Sequence, residues 1–176
     1  LAQQQDSSSY LLQLLGIAEF HLGNYQQTIV ALEKVVMQDA DLEITNYFLG
    51  LAYRESGNLA ASQQYLQRAI DKGISDNIGS YYTNLAIAYE KDGNYKRAIP
   101  NYQKAYEETG NRTLLYHLAR NYDLYYRDKQ VAINYYQKYL ATADSSEGDY
   151  LNYSEHRLSE LKEIAHFSLD TLEKDN

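Results

Sequence analysis

The sequence predicts an all-α fold in which four helical hairpins stack side by side and a further helix follows them. Leu-Gly pairs recur 34 positions apart, at Gly16 and Gly50, and Gly-Asn pairs recur at the same spacing, at Gly23 and Gly57. Between these pairs the apolar residues follow helical spacing. A fixed period of this length is typical of repeat architectures built from two-helix units.

The hairpin over residues 84–106 shows the unit most clearly. Gly93 interrupts the helical pattern, and it can adopt the left-handed backbone that ends a helix. Asn94 can then cap the next helix by accepting a free backbone N–H. The apolar stripe before the turn is Leu85, Ala88 and Tyr89, and the stripe after it is Tyr95, Ala98, Ile99, Tyr102, Ala105 and Tyr106.

Four such units align along the chain, and the alignment divides it. We expect repeats at 9–42, 43–76, 79–111 and 112–143, with a two-residue insertion near Gly73–Gly79. The fourth unit has no turn glycine, so Asp128 is the expected cap. Pro100 lies about six residues into its helix, where we expect a local kink or a distorted start on the outer face.

The two ends do not fit the repeat. Residues 1–8 are either the tail of a preceding repeat's second helix or a linker, and the first residue, Leu1, is not Met, so we expect a fragment or a processed product. A Ser/Asp/Gly linker is expected at 144–149. The segment 149–172 then predicts one helix, which we expect to cap the fourth repeat because it completes no further pair.

These residues resemble the tetratricopeptide repeat family. Its Leu-small pairs are Leu15-Gly16, Leu49-Gly50, Leu85-Ala86 and Leu118-Ala119, and its Tyr three residues later is Tyr53, Tyr89 and Tyr122. Its turn glycines are Gly23, Gly57 and Gly93, and its later large residues are Leu32, Leu66, Tyr102 and Tyr136. Glu19 replaces the Tyr in the first unit, and Thr28 and Ser62 replace the small residue early in the second helix, which is Ala98 and Ala132 in the later units. The usual proline that ends each repeat is absent. The small residues let two helices approach closely, and the large residues fill the space beside them.

The resemblance implies a right-handed superhelix with a concave groove lined by the first helix of each pair. Such a groove binds a peptide or protein segment, for which aromatic anchors are typical. Helical spacing assigns these groove residues: Tyr10, Gln13, Ile17, Phe20, His21, Ile44, Tyr47, Leu51, Arg54, Ser80, Thr83, Ile87, Glu90, Lys91, Thr113, Tyr116, Arg120 and Asp123. The alternative is that the apolar members belong to the core between repeats, an interpretation that suits Tyr47 and Tyr116 least.

One subfamily can be excluded on its motif. Repeats that bind acidic chaperone tails carry Lys, Asn, Asn, Lys and Arg on three successive first helices. The matching positions here are Gln13, Ile17, Phe48, Ser80 and Asn84. Only one Asn is retained, so we predict no carboxylate clamp.

Composition excludes several other functions. The net charge of −8 and pI of about 4.9, with no basic run, argue against nucleic-acid binding. The chain has no cysteine, its four histidines form no metal motif, and no nucleophile or phosphate-loop motif is present. We therefore expect no cofactor, no metal and no catalysis. The Tyr pairs 81–82, 125–126 and 135–136 are expected to place one ring inward and one outward.

The leading hypothesis is a non-catalytic protein-interaction scaffold. The alternatives are an accessory or regulatory domain of a larger signalling, catalytic or envelope protein, and self-association through the uncovered face of the first repeat. That face carries Leu11, Leu12, Leu14 and Leu15. The acidic, cysteine-free composition, rich in Gln, Asn and Tyr, resembles that of bacterial envelope repeat proteins. We therefore expect the periplasm or envelope, with the cytoplasm as the alternative and no membrane insertion.

Overall fold

A computed structural model describes residues 2–39, 42–72 and 76–174, and every regular element in them is a helix. The helices are α1 (Ala2–His21), α2 (Tyr25–Val36), α3 (Glu43–Glu55), α4 (Leu59–Lys72), α5 (Ile78–Lys91), α6 (Tyr95–Thr109), α7 (Thr113–Tyr125), α8 (Gln130–Thr142) and α9 (Gly148–Lys174), with a short 3₁₀ turn at Ser145–Glu147. The predicted all-α solenoid of helical hairpins is confirmed. None of the helices, within the described residues, is both long and apolar enough to cross a membrane.

The chain divides into two compact units, Leu1–Glu108 and Thr109–Asn176. In the first unit, each of the helices α1 to α4 packs against the next helix along the chain. In the second unit, α7 packs against α8, and α8 packs against α9. Sequential packing of this kind follows from the repeat, because each hairpin leaves an apolar face that only a neighbouring helix covers.

The third turn has the geometry that its sequence predicts. Gly93 has a φ of +72°, a left-handed conformation that glycine adopts without a steric penalty. The N–H of Asn94 donates to the carbonyl of Tyr89 at 2.8 Å, which closes the end of α5. The Asn94 Oδ1 atom accepts from the N–H of Arg97 at 3.3 Å, as expected of a cap at the start of α6.

The small and large repeat positions meet inside each of the first two hairpins. A Cβ atom added at Gly16 would lie 2.4 Å from Leu32 Cδ2, and one added at Gly50 would lie 2.5 Å from Leu66 Cγ. Both leucines are fully buried. The absence of a side chain on one helix therefore allows a leucine of the partner helix to lie directly against its backbone.

Pro100 is exposed and lies inside α6, which continues on both sides of it. Its ring nitrogen carries no hydrogen and cannot donate to the carbonyl four residues earlier. Because the position is exposed, water can donate to that carbonyl instead. The outward orientation matches the expectation.

The structure differs from expectation at both ends. Helix α1 begins at Ala2, so the described part of the predicted 1–8 segment is continuous with the first repeat helix. At 144–149, Asp144 accepts from the Ser146 N–H at 2.9 Å and starts a 3₁₀ turn, and α9 follows from Gly148. The expected linker is therefore mostly helical.

The inward-outward rule holds for two of the three Tyr pairs. Tyr81 and Tyr136 are fully buried, while the neighbouring Tyr82 and Tyr135 are half-buried. For the pair at 125–126 the expectation is wrong, because both rings are exposed. Helix α7 ends at Tyr125, so helical periodicity does not extend across this pair.

Candidate protein-binding surface

The first unit brings its three first helices together, since α3 contacts both α1 and α5. The predicted groove residues on these helices differ in exposure. Those exposed are Tyr10, His21, Ile44, Ser80 and Lys91, and those half-buried are Gln13, Ile17, Phe20, Tyr47, Arg54, Thr83, Ile87 and Glu90. A surface of half-buried side chains offers contact area and is already held in position by its neighbours.

A polar network holds α3 against α5 at the centre of this surface. The Asn84 Nδ2 atom donates to the Tyr47 hydroxyl at 3.0 Å, and Arg54 Nη1 donates to Asn84 Oδ1 at 2.6 Å. Arg54 Nε also donates to the Glu55 carboxylate at 2.8 Å. Burial raises the pKa of Tyr47, and the nearby Arg54 charge opposes that rise. Tyr47 is therefore a neutral phenol at physiological pH.

Aromatic rings extend across the same surface from α1 to α5. The Phe48 ring lies 5.3 Å from Phe20 and 5.7 Å from His21, both edge-on. Tyr47 lies 5.5 Å from Phe48 and 4.5 Å from Tyr81. Ring pairs at these separations contribute about 0.5–1.5 kcal/mol beyond their buried area. Tyr81 is buried, so the accessible part of the row is the half-buried rings of Phe20, Tyr47 and Phe48 together with the exposed His21 ring. These fixed rings form a platform on which a partner's apolar side chains can lie.

Side-chain hydrogen bonds hold other predicted residues in place. Gln13 Nε2 donates to Thr45 Oγ1 at 2.7 Å, which joins α1 to α3. The Tyr102 hydroxyl donates to Glu90 at 2.6 Å, and Thr83 Oγ1 donates to the carbonyl of Gly79 at 2.8 Å. Gln13, Thr83 and Glu90 are thus oriented by the fold before any partner arrives.

Leu51 does not belong to the exposed surface. It is only 6% exposed and packs in a core cluster with Leu66, Ile70 and Leu85. Its assignment as a groove residue is corrected: it lies on the side of α3 that faces α4 and α5. The alternative interpretation, that apolar residues of the predicted groove are core, holds at this position.

In the second unit, Tyr116 is also an interior residue. It is 8% exposed, and its ring centre lies 4.6 Å from that of Tyr150 and 5.8 Å from that of Tyr153, both on α9. It lies 5.9 Å from Tyr139 on α8. Its assignment as an accessible anchor is corrected, because α9 covers the face of α7 that helical spacing assigned to a ligand.

Asp123 is likewise buried, and it binds Arg157 of α9. Arg157 donates from Nε at 2.7 Å and from Nη2 at 3.1 Å to the two carboxylate oxygens, and Lys129 Nζ lies 3.3 Å from Asp123 Oδ1. Burial alone would raise the pKa of Asp123, but these two cations outweigh it and lower the pKa below its usual value. Asp123 is thus a structural carboxylate, while Thr113 and Arg120 on the same helix are half-buried.

The contacts of α9 repeat those of α5. Tyr47 meets Tyr81, 34 positions later, at 4.5 Å with planes 34° apart, and Tyr116 meets Tyr150, also 34 positions later, at 4.6 Å and 33°. Helix α9 therefore packs on its neighbours as the first helix of a further repeat would.

Sequence reasoning missed two residues of the surface. Asn84 links Tyr47 to Arg54, and Phe48 joins the rings of α1 to those of α3. Both occupy positions compared with the carboxylate clamp, and this was the available signal. The described residues hold no group of three or more His, Cys, Asp or Glu side chains arranged to bind a metal ion.

Comparisons with known proteins agree with this architecture. Residues 41–107 match a family model of the tetratricopeptide repeat. MamA from Desulfovibrio magneticus RS-1 is similar, with a TM-score of 0.69 and 20% identity over 80% of this chain and 78% of that chain. The Cut9–Hcn1 hetero-tetramer of APC/C gives 0.67 and 19% over 84% and 30%, and an O-GlcNAc transferase from Thermobaculum terrenum gives 0.62 and 19% over 77% and 26%.

The family match shows that residues 41–107 consist of tetratricopeptide repeats, and the fold of the described residues agrees with it. The family predicted from the repeat residues is thereby confirmed.

Proposed function

We propose that this chain is a non-catalytic scaffold that binds a peptide or protein segment on the surface formed by α1, α3 and α5. One observation carries the proposal: the half-buried rings of Phe20, Phe48 and Tyr47 run beside a hydrogen-bonded network of Tyr47, Asn84 and Arg54. Rigid aromatic rings with a few fixed polar groups are characteristic of protein-binding surfaces. Because the fold orients these groups beforehand, a partner loses less of its affinity to ordering them.

The chemistry of the surface indicates what the partner presents. Ile44 is exposed and precedes Tyr47 and Phe48 by three and four positions on α3, which places it on their side of the helix. His21 is exposed beside Phe48, and both residues favour apolar or aromatic side chains. Arg54 and Lys91 carry positive charge and Glu90 carries negative charge, so a segment with both kinds of charge fits better than a uniformly acidic tail. This mixture agrees with the prediction that no carboxylate clamp is present.

A scaffold is favoured over an enzyme by the state of the titratable groups. Asp123 and Glu147, whose pKa values are lowered, both bind arginines that join parts of the fold. Tyr139, whose pKa is raised by burial and by its bond to Glu147, is a structural hydrogen-bond donor. These perturbed groups support the fold, whereas perturbed groups at active sites are arranged around a reacting centre.

Affinity capture from the source organism tests the proposal, with bound proteins identified by mass spectrometry. Ile44→Glu places a charge beside the rings, and Tyr47→Phe removes only the hydroxyl that accepts from Asn84. Both are expected to reduce capture of the same partner, Ile44→Glu at least tenfold. Met37→Glu, at an 86% exposed position beyond α2, is the matched control. Unchanged capture by Ile44→Glu would refute binding at this surface.

An accessory or regulatory domain of a larger protein is the alternative. The O-GlcNAc transferase from Thermobaculum terrenum supports it, because the part similar to this chain is 26% of that chain. The full reading frame of the gene distinguishes the two: a further domain supports the alternative, and none supports a free-standing scaffold.

Self-association is a second alternative, in which two copies of the chain pack through the exposed leucines of the first repeat. Leu11, Leu14 and Leu15 are each about half exposed or more, and exposed apolar patches promote association. Light scattering over a concentration series tests this, because a dimer doubles the mass and a constant monomer mass counts against it.

A further inference from the structure

The outer face of the first hairpin exposes positions that its neighbours bury. Leu11, Leu15 and Ala18 follow one another at i, i+4 and i+7 on α1, and all three are exposed, with Leu11 at 63% and Leu15 at 50%. Their counterparts in the second and third repeats are at most 2% exposed. Those counterparts are Thr45, Leu49 and Ala52 on α3, and Tyr81, Leu85 and Ala88 on α5. The face has the composition of a helix interface, and none of the helices that the structure describes covers it.

The second and third repeats show which residues cover the counterparts of this face. On α3 the counterparts pack against Leu32 and Val36 of α2, with Val35 buried beside them. On α5 the covering residues are Leu66, Ala69 and Ile70 of α4. Both covering helices therefore present a leucine, then a small or β-branched residue three positions later and a β-branched residue at the fourth. This spacing places all three on one side of a helix.

A cleft of about 470 Å³ lies between α1 and α2 on the first hairpin and shares Leu15 with these exposed positions. Its lining includes Leu12, Leu15, Val30, Ala31, Glu19 and Lys34. The apolar floor and the single charge of each sign at its edge fit an amphipathic helix. They do not fit a strongly charged ligand.

A difference between Glu19 and its counterpart Tyr53 restricts the sequence of the partner helix further. In the second repeat, the Tyr53 hydroxyl donates to Glu33, the residue that follows the covering leucine. Glu19 stands at the position of Tyr53 and can only accept, and at present it accepts from Asn24 Nδ2 at 2.7 Å. A helix that covers the first hairpin therefore needs a donor, such as Lys, directly after its leucine.

We propose that the α1–α2 face docks an amphipathic helix of a partner polypeptide with the pattern Leu-Lys-x-(Ala/Val)-(Val/Ile). This inference concerns a different surface from the one proposed above. A second copy of the chain is a poorer source of the helix, because α2, α4 and α8 already use this side against α3, α5 and α9.

The probe is a fluorescein-labelled peptide with the sequence of residues 25–38, YQQTIVALEKVVMQ, in which Lys replaces the Glu that follows its single Leu. Binding to the full chain is followed by fluorescence anisotropy. A control peptide carries Ser in place of that Leu and of the second residue of the Val-Val pair. We expect the Lys peptide to bind at least tenfold more tightly than the control peptide.

Protein variants identify the site. Leu15→Glu is expected to weaken binding of the Lys peptide at least tenfold, because it places a charge in the cleft. Leu22→Glu, the same change at a 73% exposed leucine, is the matched control and leaves binding unchanged. Glu19→Lys is expected to reverse the preference, so that the peptide with Glu after its Leu binds more tightly than the Lys peptide. Circular dichroism of each variant verifies that it is folded.

Three outcomes would overturn the proposal. The first is equal binding of the Lys peptide and the control peptide. The second is unchanged binding to a folded Leu15→Glu variant, which would mean that the peptide replaces α2 within the chain. The third is a mass that rises with concentration, is lost in Leu15→Glu and does not respond to the peptide, which would assign the face to a second copy. Because Ile44 plays no part in these measurements, failure here leaves binding at the α1–α3–α5 surface untouched.

Discussion

Replacing Gly50 with alanine tests the close approach of α3 and α4. The new Cβ atom would lie 2.5 Å from Leu66 Cγ and 3.1 Å from the Leu66 backbone nitrogen. A side chain can move aside, but the nearby backbone atom means that the helices must also separate slightly. Overpacking of this kind costs about 1–3 kcal/mol, and we take the upper end because both atoms are close.

Alanine also favours the helix over glycine by about 1 kcal/mol, which offsets part of that cost. The net expectation is a loss of about 2 kcal/mol in the free energy of unfolding. For a chain of this length, such a loss lowers the midpoint of thermal unfolding by about 4–8 °C. Urea denaturation followed by circular dichroism measures the free energy directly, and Gly148→Ala is the control because nothing lies within 4 Å of its new methyl group.

A double-mutant cycle attributes the effect to Leu66. Leu66→Ala alone is expected to cost about 2–5 kcal/mol through the cavity that it leaves. In the presence of that cavity the Leu66 side chain no longer crowds the Gly50→Ala methyl group, and only the backbone nitrogen of residue 66 remains close. The two changes should therefore be less costly together than their sum by about 2 kcal/mol. Additive effects, or a Gly50→Ala variant as stable as Gly148→Ala, would refute the close-approach argument.

Three further predictions concern α9 and its contacts. Asp123→Asn is expected to destabilise the chain by about 3 kcal/mol in urea denaturation, because it leaves Arg157 without its bidentate carboxylate. The lowered pKa of Asp123 predicts stability that is complete above its unfolded pKa of about 4 and lost as the pH falls through the lower folded value. Asp123→Asn should flatten that acid limb in denaturation curves measured between pH 2 and 6, and an equally steep limb would contradict the assignment. Tyr116→Ala should cost about 3–5 kcal/mol and speed amide hydrogen exchange in α9, since Tyr150 loses its ring partner.

Local rules were enough to predict the repeat and its internal geometry. The backbone at Gly93, the cap at Asn94 and the pairing of Gly50 with Leu66 all follow from residues close in sequence, whose spacing has one low-energy arrangement. The same rules failed for the Tyr pair at 125–126, because α7 ends at Tyr125 and Tyr126 no longer follows the helical spacing.

The solvent exposure of a residue on a helix face depends on whether a neighbouring helix packs there. Helical spacing gave Tyr47 and Tyr116 the same position in their repeats, and the structure gives both the same kind of ring contact. Tyr47 remains half-buried, whereas α9 buries Tyr116. Leu15 is the reverse case, since its repeat position is a buried one elsewhere but no described helix covers it here. Periodicity assigns a residue to one side of its own helix, but exposure depends on whether another helix packs there, and only the tertiary structure supplies that helix.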